Sequence, residues 1–543
     1  MIRTGRLRLT GAAILLHILF RLPWALVEGP AAMALPSLEA FLAIAILACV
    51  PRLPPVPGKL VVWALALIEG FILLFGFSEA MVRLTFNRPL SLVTDAGYVP
   101  DLYGLLRDTL PLPVFLAGLA VLPLLLAAVV WGFRRVSDTV VRAAGSFPRG
   151  GVVLAGLGVF LILLEALAGV PVLGSSSLPR MAQEAKSVFG YRRYEAETRE
   201  GLRRVAAEAA DVVPESKSFP LDLLAGRDVF LFIVESYGYT LYSEPGHFEG
   251  AEPYLKRFEA RIEDAGYSIL SNFLSSPAFG GNSWLADSTL ASGVWIPDQV
   301  AYEALLESEV IPMAQRFNEA GYLTVNSMPG TTLDWPEGEY FKFGKKYYYR
   351  DFAYRGPSFR WAPMPDQYAI DVVHRGSAVA AAGPIFVQYV MISGHYPFSL
   401  LPRRMEDWSG LGDGSVFARK ENVRSITIPR GAATAGAPGY LAAMEYQLDV
   451  VSDYVARFLA DREPLVIILG DHQPYSGITG KGKLGSVPIH VLCQDPAILD
   501  PFRDRGYTPG WIPRQAPPHR GLDTVYPGLL EDFTSASGAG ATR

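Results

Sequence analysis

Glu235 directly follows the apolar run VFLFIV, and the pair Asp471-His472 directly follows LVIILG. His395 comes shortly after IFVQYVMIS, and Ser283 sits in the Gly-rich turn FGGNSW at 279–284. Taken singly, each has an ordinary structural explanation. An acid at a strand end caps or pairs, a serine among glycines makes a turn, and Asp-His before Pro474 favours a turn. A lone histidine can be a satisfied core residue. Together they supply two carboxylates, an imidazole and a hydroxyl. That inventory suits one divalent metal ion activating a hydroxyl nucleophile, with the ion lowering the hydroxyl's pKa and offsetting charge on a transferring phosphoryl group.

These side chains can meet only if the elements that carry them end at one edge. From residue 228 onward, short apolar runs alternate with helical patterns. DVFLFIVES and GPIFVQYVMIS read as buried strands, and PYLKRFEARIEDAGY reads as an amphipathic helix closed by glycine. IPMAQRFNEAGYLTVNSM reads as a helix followed by a strand. YLAAMEYQLDVVSDYVARFLADREPLVIILGDHQP reads as a long helix, a turn and a strand. This alternation predicts an α/β domain with a mostly parallel central sheet, and in such sheets active sites gather at the carboxyl ends of the strands.

The rest of the chain has a different character. Half of the 543 residues are hydrophobic, the mean hydropathy is +0.24, and the apolar excess lies in the first 175 residues. Five stretches come near the ~20 apolar residues that span a bilayer: roughly 11–29, 33–50, 60–78, 111–133 and 152–174. A cleaved signal peptide competes for the first stretch, but no small-residue cleavage site is present and further spans follow. Arg3, Arg6 and Arg8, then Arg52 and Lys59, then Arg134, Arg135, Arg142 and Arg149 fall in segments separated by even numbers of spans. The positive-inside rule puts these segments in the cytoplasm and everything after residue 175 outside it. Arg21, Glu39, Glu69 and Glu165 lie within the spans, where an Arg–Glu pair holding the bundle together is the favoured reading over a part in lipid-headgroup handling. Residues 176–220 read as a helical connector near the membrane, broken at VVPESKSFP, and 221–543 as the outer catalytic domain. The net charge of −5 gives no sign of a nucleic-acid binder. Cys49 and Cys493 stand too far apart in character to suggest a disulfide.

VESYG, GGNSW, SGHYPF and GDHQP occur in an order that resembles the lipoteichoic acid synthase-like and periplasmic phosphoglycerol or phosphoethanolamine transferases. These form part of the sulfatase-like branch of the alkaline phosphatase superfamily. The resemblance covers about 228–495 and extends to a set of preceding spans. It implies an N-terminal transmembrane helical bundle joined to a sulfatase-like α/β domain. It also implies Glu235, Ser283, Asp471 and His472 as ligands of one divalent ion (Mn, Mg or Zn), Ser283 as nucleophile, and His395 on the substrate phosphate. Two departures concern the donor. Where family members that transfer glycerol phosphate have Phe-Trp-Asn-Arg, this chain has Leu333-Asp334-Trp335-Pro336-Glu337, which keeps the Trp and loses the phosphate-gripping Arg. Lys342, Lys345 and Arg350 are the nearby cations that could replace it, and the expected upstream histidine is missing near Met328-Pro329. Trp335 and Glu337 are then the expected headgroup contacts, and the acid leans toward an ammonium over a glycerol. Ser275-Ser276-Pro277-Ala278-Phe279 comes near a sulfatase signature but lacks its Arg, and reads as a turn.

The implied activity is transfer of a phospholipid headgroup phosphate, through a covalent Ser283 intermediate, to an envelope glycan or lipid acceptor. The protein would be multi-pass in the bacterial cytoplasmic membrane, with its catalytic domain periplasmic or extracellular. A sulfatase-like phosphodiesterase or sulfate-ester hydrolase is the alternative within the same chemistry. A non-catalytic envelope lipid- or glycan-binding relative is the alternative outside it, and the intact set of four ligating side chains argues against that.

Overall fold

The computed structural model describes residues 2–99, 103, 107, 110–146, 148–168, 173–212, 221–427, 437–480 and 482–535. It divides into two compact units, one comprising 1–84 with 88–193 and the other 85–87 with 194–543.

Among the described residues of the first unit, four helices are long and apolar enough to cross a membrane: Gly5–Glu28, Pro30–Arg52, Pro55–Phe86 and Leu112–Gly145. The fifth expected stretch overlaps the helix Pro148–Ala168, whose described apolar part, Gly156–Glu165, is shorter than a span; residues 169–172 lie outside the described set. Leu119, Leu122, Leu124 and Leu125 remain exposed, as expected of a helix whose apolar surface faces lipid. The ionisable groups singled out in these helices have local hydrogen-bond partners, with Glu69 Oε1 left over among the described residues. The Arg21 guanidinium donates to Ala32 O and Ser175 O and lies 3.6 Å from Glu28. Glu39 accepts from Ser37, Ser176 and the Ser177 amide, Glu69 accepts from Ser137, and Glu165 accepts from the Leu173 amide. The acid beside Arg21 is therefore Glu28 of its own helix, and not Glu39, Glu69 or Glu165, among which the sequence reading expected the pair that holds the bundle together.

The expected connector is one helix, Ser177–Val212. Its break in 213–220 falls outside the described residues.

The second unit is built on a nine-stranded sheet. Its strands are β1 Val229–Val234, β2 Ser268–Ser275, β3 Leu323–Met328, β4 Lys345–Tyr348, β5 Ile385–Val390, β8 Leu465–Gly470, β9 Ser486–Cys493, β10 Thr508–Pro509 and β11 Arg520–Gly521; β6 Leu400–Pro402 and β7 Val423–Ser425 form a separate ribbon. The order is β10-β2-β9-β8-β1-β5-β3-β4, with β11 on β2. From β8 to β4 every pairing is parallel, while β9 runs antiparallel to both neighbours. The inner strands are continuous apolar runs because both faces are covered. Phe230, Phe232 and Val234 point into one core with Tyr254, Phe258 and Tyr454. Val229, Leu231 and Ile233 point into the other with Leu290 and Phe317. This doubly covered sheet fixes the register on which the site depends: Val234 of β1 lies opposite Gly470 of β8, so the next residue of each strand emerges at the same edge.

Candidate metal centre and nucleophile

Those next residues are Glu235 and Asp471. The Ser236 amide donates to Asp471 Oδ1 at 2.8 Å, the Ser236 hydroxyl donates to Glu235 Oε1 at 2.7 Å, and the His472 amide donates to Asp471 Oδ1 at 2.6 Å. Ser236 adopts a left-handed backbone, φ 61°, which turns the chain off the strand and aims its N–H at the acid. The His472 ring donates Nδ1–H to Gln473 O at 2.8 Å. That bond fixes the tautomer and leaves Nε2 as the ligating nitrogen. Nε2 lies 3.6 Å from Glu235 Oε1 and 3.5 Å from Asp471 Oδ2. All three residues are buried, with one ligand atom of each within 4.8 Å of the others.

Ser283 reaches this cluster from a different element. It is the first residue of the helix Ser283–Ser292, entered through Gly280, Gly281 and Asn282, all at positive φ. The turn is pinned by the Gly280 amide, which donates to Gln473 O at 2.9 Å, the same carbonyl that holds His472. The result is a Ser283 Oγ to His472 Nε2 distance of 3.1 Å. The helix N-terminus at Ser283 favours negative charge on that oxygen and on a phosphate beside it. The Ser276 hydroxyl donates to Asp471 O, so the segment that comes near a sulfatase signature is a turn that braces the metal-side acid.

Electrostatically the cluster is strained. Burial, and then the Glu235 charge, push Asp471 up to about 7. Burial pulls His472 down, but Asp471 and Glu235 outweigh it and hold the imidazole above its ordinary value. Two buried carboxylates, one imidazole nitrogen directed between them and a hydroxyl at 3.1 Å form an oxygen-rich donor set that fits a divalent cation.

The loop with His395 is packed against the same edge. A Cβ on Gly394 would stand 2.4 Å from Glu235 O and 2.1 Å from Gln447 Nε2, so only glycine permits this approach. Asp366 accepts the backbone amides of Ile392 and Ser393 at 2.8 and 3.1 Å and so fixes the start of the loop. His395 itself is half-buried, donates Nδ1–H to Tyr396 O and packs on Trp361. No hydrogen bond or ring contact among the described residues joins it to Ser283 or to Glu235, Asp471 and His472.

Trp335 and Glu337 part company. Trp335 stacks on Phe341 and lines a small cavity with Trp284 and Asp287. Glu337, on a turn of 3-10 helix, is exposed and faces a different groove with Lys342. Lys345 donates to Gly376 O and Arg350 pairs with Asp334 at 3.4 Å, so none of the three candidate replacement cations lines the Trp335 cavity. The acid beside Trp335 is Asp287, which the sequence reading missed. The available signal was its position one helical turn after Ser283.

No family model matches the chain, and no curated protein matches it. Among solved structures, it is similar to the lipooligosaccharide phosphoethanolamine transferase A (EptA) of Neisseria meningitidis, at 12% identity over 96% of this chain and 95% of that one, TM-score 0.45. It is similar to the lipoteichoic acid synthase LtaP of Listeria monocytogenes, at 12% identity over 53% and 71%, TM-score 0.33. It is also similar to the C-terminal periplasmic domain of EcEptC of Escherichia coli in complex with Zn, at 15% identity over 52% and 75%, TM-score 0.32.

Proposed function

We propose that this protein is a membrane-anchored, metal-dependent transferase of phospholipid headgroup phosphates, with Ser283 as nucleophile. The observation that supports it most directly is the 3.1 Å approach of Ser283 Oγ to His472 Nε2, the nitrogen that also lies within 3.6 Å of Glu235 and Asp471. A divalent cation held by Glu235, Asp471, His472 and the Ser283 oxygen would lower the hydroxyl's pKa and offset charge on the phosphoryl group. The helix N-terminus at Ser283 stabilises the oxygen as it loses its proton to water. Ser283 Oγ then bonds to phosphorus as the bond to the diacylglycerol oxygen breaks, and diacylglycerol leaves as the alcohol after taking a proton. The headgroup phosphate remains esterified to Ser283. In the second half an acceptor hydroxyl on an envelope glycan or lipid attacks phosphorus and gives up its proton, and the Ser283–phosphorus bond breaks as the Ser283 oxygen takes one back. The His395 loop, packed against Glu235, is the assigned contact for the phosphate. The apolar helices would keep the enzyme in the bilayer that holds its donor, and the arginine distribution supports a catalytic unit outside the cytoplasm.

The test is mass spectrometry of the Ser283 peptide after incubation of the detergent-solubilised protein with mixed phospholipids. A headgroup-phosphate adduct that forms only with divalent metal supports the reading. Phosphodiester cleavage that persists in Ser283→Ala, with no adduct on the native chain, would instead mean direct attack by water, and a hydrolase.

A further inference from the structure

The helix that begins at Ser283 has a second chemical face. Trp284, Asp287, Ser288 and Ala291 recur at helical spacing and line one cavity, closed by Gln388 of β5 and by Trp335. Its free space is about 20 Å³, enough for one group the size of a water molecule. Three buried oxygens on its walls have no hydrogen-bond partner among the described residues: Asp287 Oδ1, Ser288 Oγ and Gln388 Oε1. Ser288 is 1% exposed and Gln388 5%. The Gln388 amide spends its N–H on Asn326 Oδ1 at 3.3 Å, so its oxygen is the end left over. Unpaired polar atoms in a dry site are costly, and three together mark a place where something donates.

The walls say what that donor is. All three orphan atoms can accept, the Ser288 hydroxyl being able to donate as well, and a primary ammonium offers three N–H donors and no acceptor. Trp335 and Phe341 bring aromatic surface to the same cavity, which favours a cation. A glycerol terminus carries two hydroxyls, too large for the space, and brings acceptors of its own. A trimethylammonium has no N–H and is larger still. Burial first, then the Asp471 and Glu235 charges, hold the Asp287 carboxyl well above the ordinary range, a penalty that a neighbouring cation relieves. Asp287 follows Ser283 by four residues, roughly 6 Å along the axis, which is within reach of a short amino alcohol esterified to the serine through its phosphate.

We propose that the Asp287–Ser288–Gln388 cavity seats a primary ammonium at the far end of the donor headgroup, so that the group carried on Ser283 is a phosphorylated amino alcohol. This rests on the Ser283 transferase reading and adds the substrate class to it.

The experiment offers the full-length protein, in detergent with divalent metal, vesicles of phosphatidylethanolamine, its N-monomethyl, N-dimethyl and N-trimethyl derivatives, or phosphatidylglycerol. The Ser283 adduct is weighed and its rate of formation measured. The expected order falls steadily with methylation, with phosphatidylglycerol at the bottom. Asp287→Asn should lower kcat/KM for phosphatidylethanolamine about 10- to 100-fold, the worth of a charge-assisted hydrogen bond, and should compress its ratio to phosphatidylglycerol. Ser288→Ala should act in the same direction and less. A phosphoglycerol adduct formed as fast as the ethanolamine one, or equal rates across the methylated series, overturns the proposal and leaves the transferase reading standing. An unchanged ratio in Asp287→Asn means that the cavity holds a buried water only, which also overturns it. No Ser283 adduct from any lipid sinks the transferase reading and the proposal together.

Discussion

Glu235→Gln separates a metal centre from a structural ion-pair cluster, because the two predict opposite signs. In chelator-treated protein the Asp471 carboxyl sits at about 7 against an ordinary 3.8, with burial the larger cause and Glu235 the next. That displacement corresponds to roughly 4 kcal/mol against the ionised form. The folded chain therefore holds a proton that the unfolded chain releases, and its stability should fall as pH rises from about 4 to 7. His472, also held above its ordinary value, contributes with the same sign. Asp287, held above the ordinary carboxyl range by burial and then by the Asp471 and Glu235 charges, also contributes with the same sign. Replacing Glu235 by glutamine keeps the shape, removes a repulsive charge, and should flatten this pH dependence without destabilising the chelated protein at pH 7–8. The same change should weaken Mn or Zn binding by at least 10- to 100-fold, more than the loss of an outer-shell partner costs. The stabilisation that metal gives the native chain, about 2.7 kcal/mol at one hundred times Kd, should shrink accordingly. Calorimetric unfolding at pH 5 to 8, with chelator and with metal, reads both effects. If Glu235→Gln instead lowers the stability of the chelated protein by about 3–5 kcal/mol, the expected cost of breaking a buried ion pair, Glu235 is part of a structural cluster and the metal assignment fails.

Three further perturbations probe other parts of the site. Ser283→Ala should retain weakened metal binding while transfer drops to background, and Ser283→Thr should restore measurable transfer because the oxygen is kept; activity in the alanine variant would remove Ser283 as nucleophile. Gly394→Ala forces a methyl to within 2.4 Å of Glu235 O, so metal affinity measured by titration should fall although Gly394 offers no ligand atom; an unchanged affinity would show that the loop yields without moving Glu235. Asp366→Ala leaves the buried amides of Ile392 and Ser393 without their acceptor, which should cost about 2–4 kcal/mol in unfolding and raise KM for the lipid donor, with Asp366→Asn recovering part of both; a stability loss without a KM change would confine Asp366 to folding.

The parts of this architecture that could be read in the sequence are those in which linear order and spatial order coincide. VFLFIV followed by Glu235 and LVIILG followed by Asp471-His472 are strands with their candidate site residue one step past the end, and the parallel register Val234 to Gly470 brings them to one edge. Ser283 was visible because a glycine pair before a helix start is a local signal. Glu337 and Asp287 show where the logic stops. Glu337 lies two residues from Trp335 in the chain, yet the turn at Pro336–Glu339 carries it outward toward Lys342. Asp287 lies far from Trp335 in sequence and shares a cavity with it, because β3 and β5 bring Asn326 and Gln388 under the Ser283 helix. Asp366 was invisible for the same reason: its partners are the amides of a loop that follows a different strand.

Charge balance ties the two halves of the site together. Burial, with the Glu235 charge acting on Asp471 and the Asp471 and Glu235 charges acting on Asp287, holds these two carboxyls above the ordinary range, and His472 is the cationic partner placed beside Glu235 and Asp471. Fully ionised, three carboxylates against one imidazolium leave two negative charges in a region of low dielectric, where such an excess is answered by protonation or by a bound cation. A dianionic or monoanionic phosphate group arriving at Ser283 makes the excess larger. One divalent ion held by Glu235, Asp471 and His472 would offset the excess on that side of the serine. It leaves Asp287 one helical turn away, with an unpaired oxygen and a cavity that admits one small donor. A headgroup that carries its own ammonium supplies the second cation at the point where the fold lacks one, so the phosphate and the amine of a single donor answer the two ends of the same electrostatic problem.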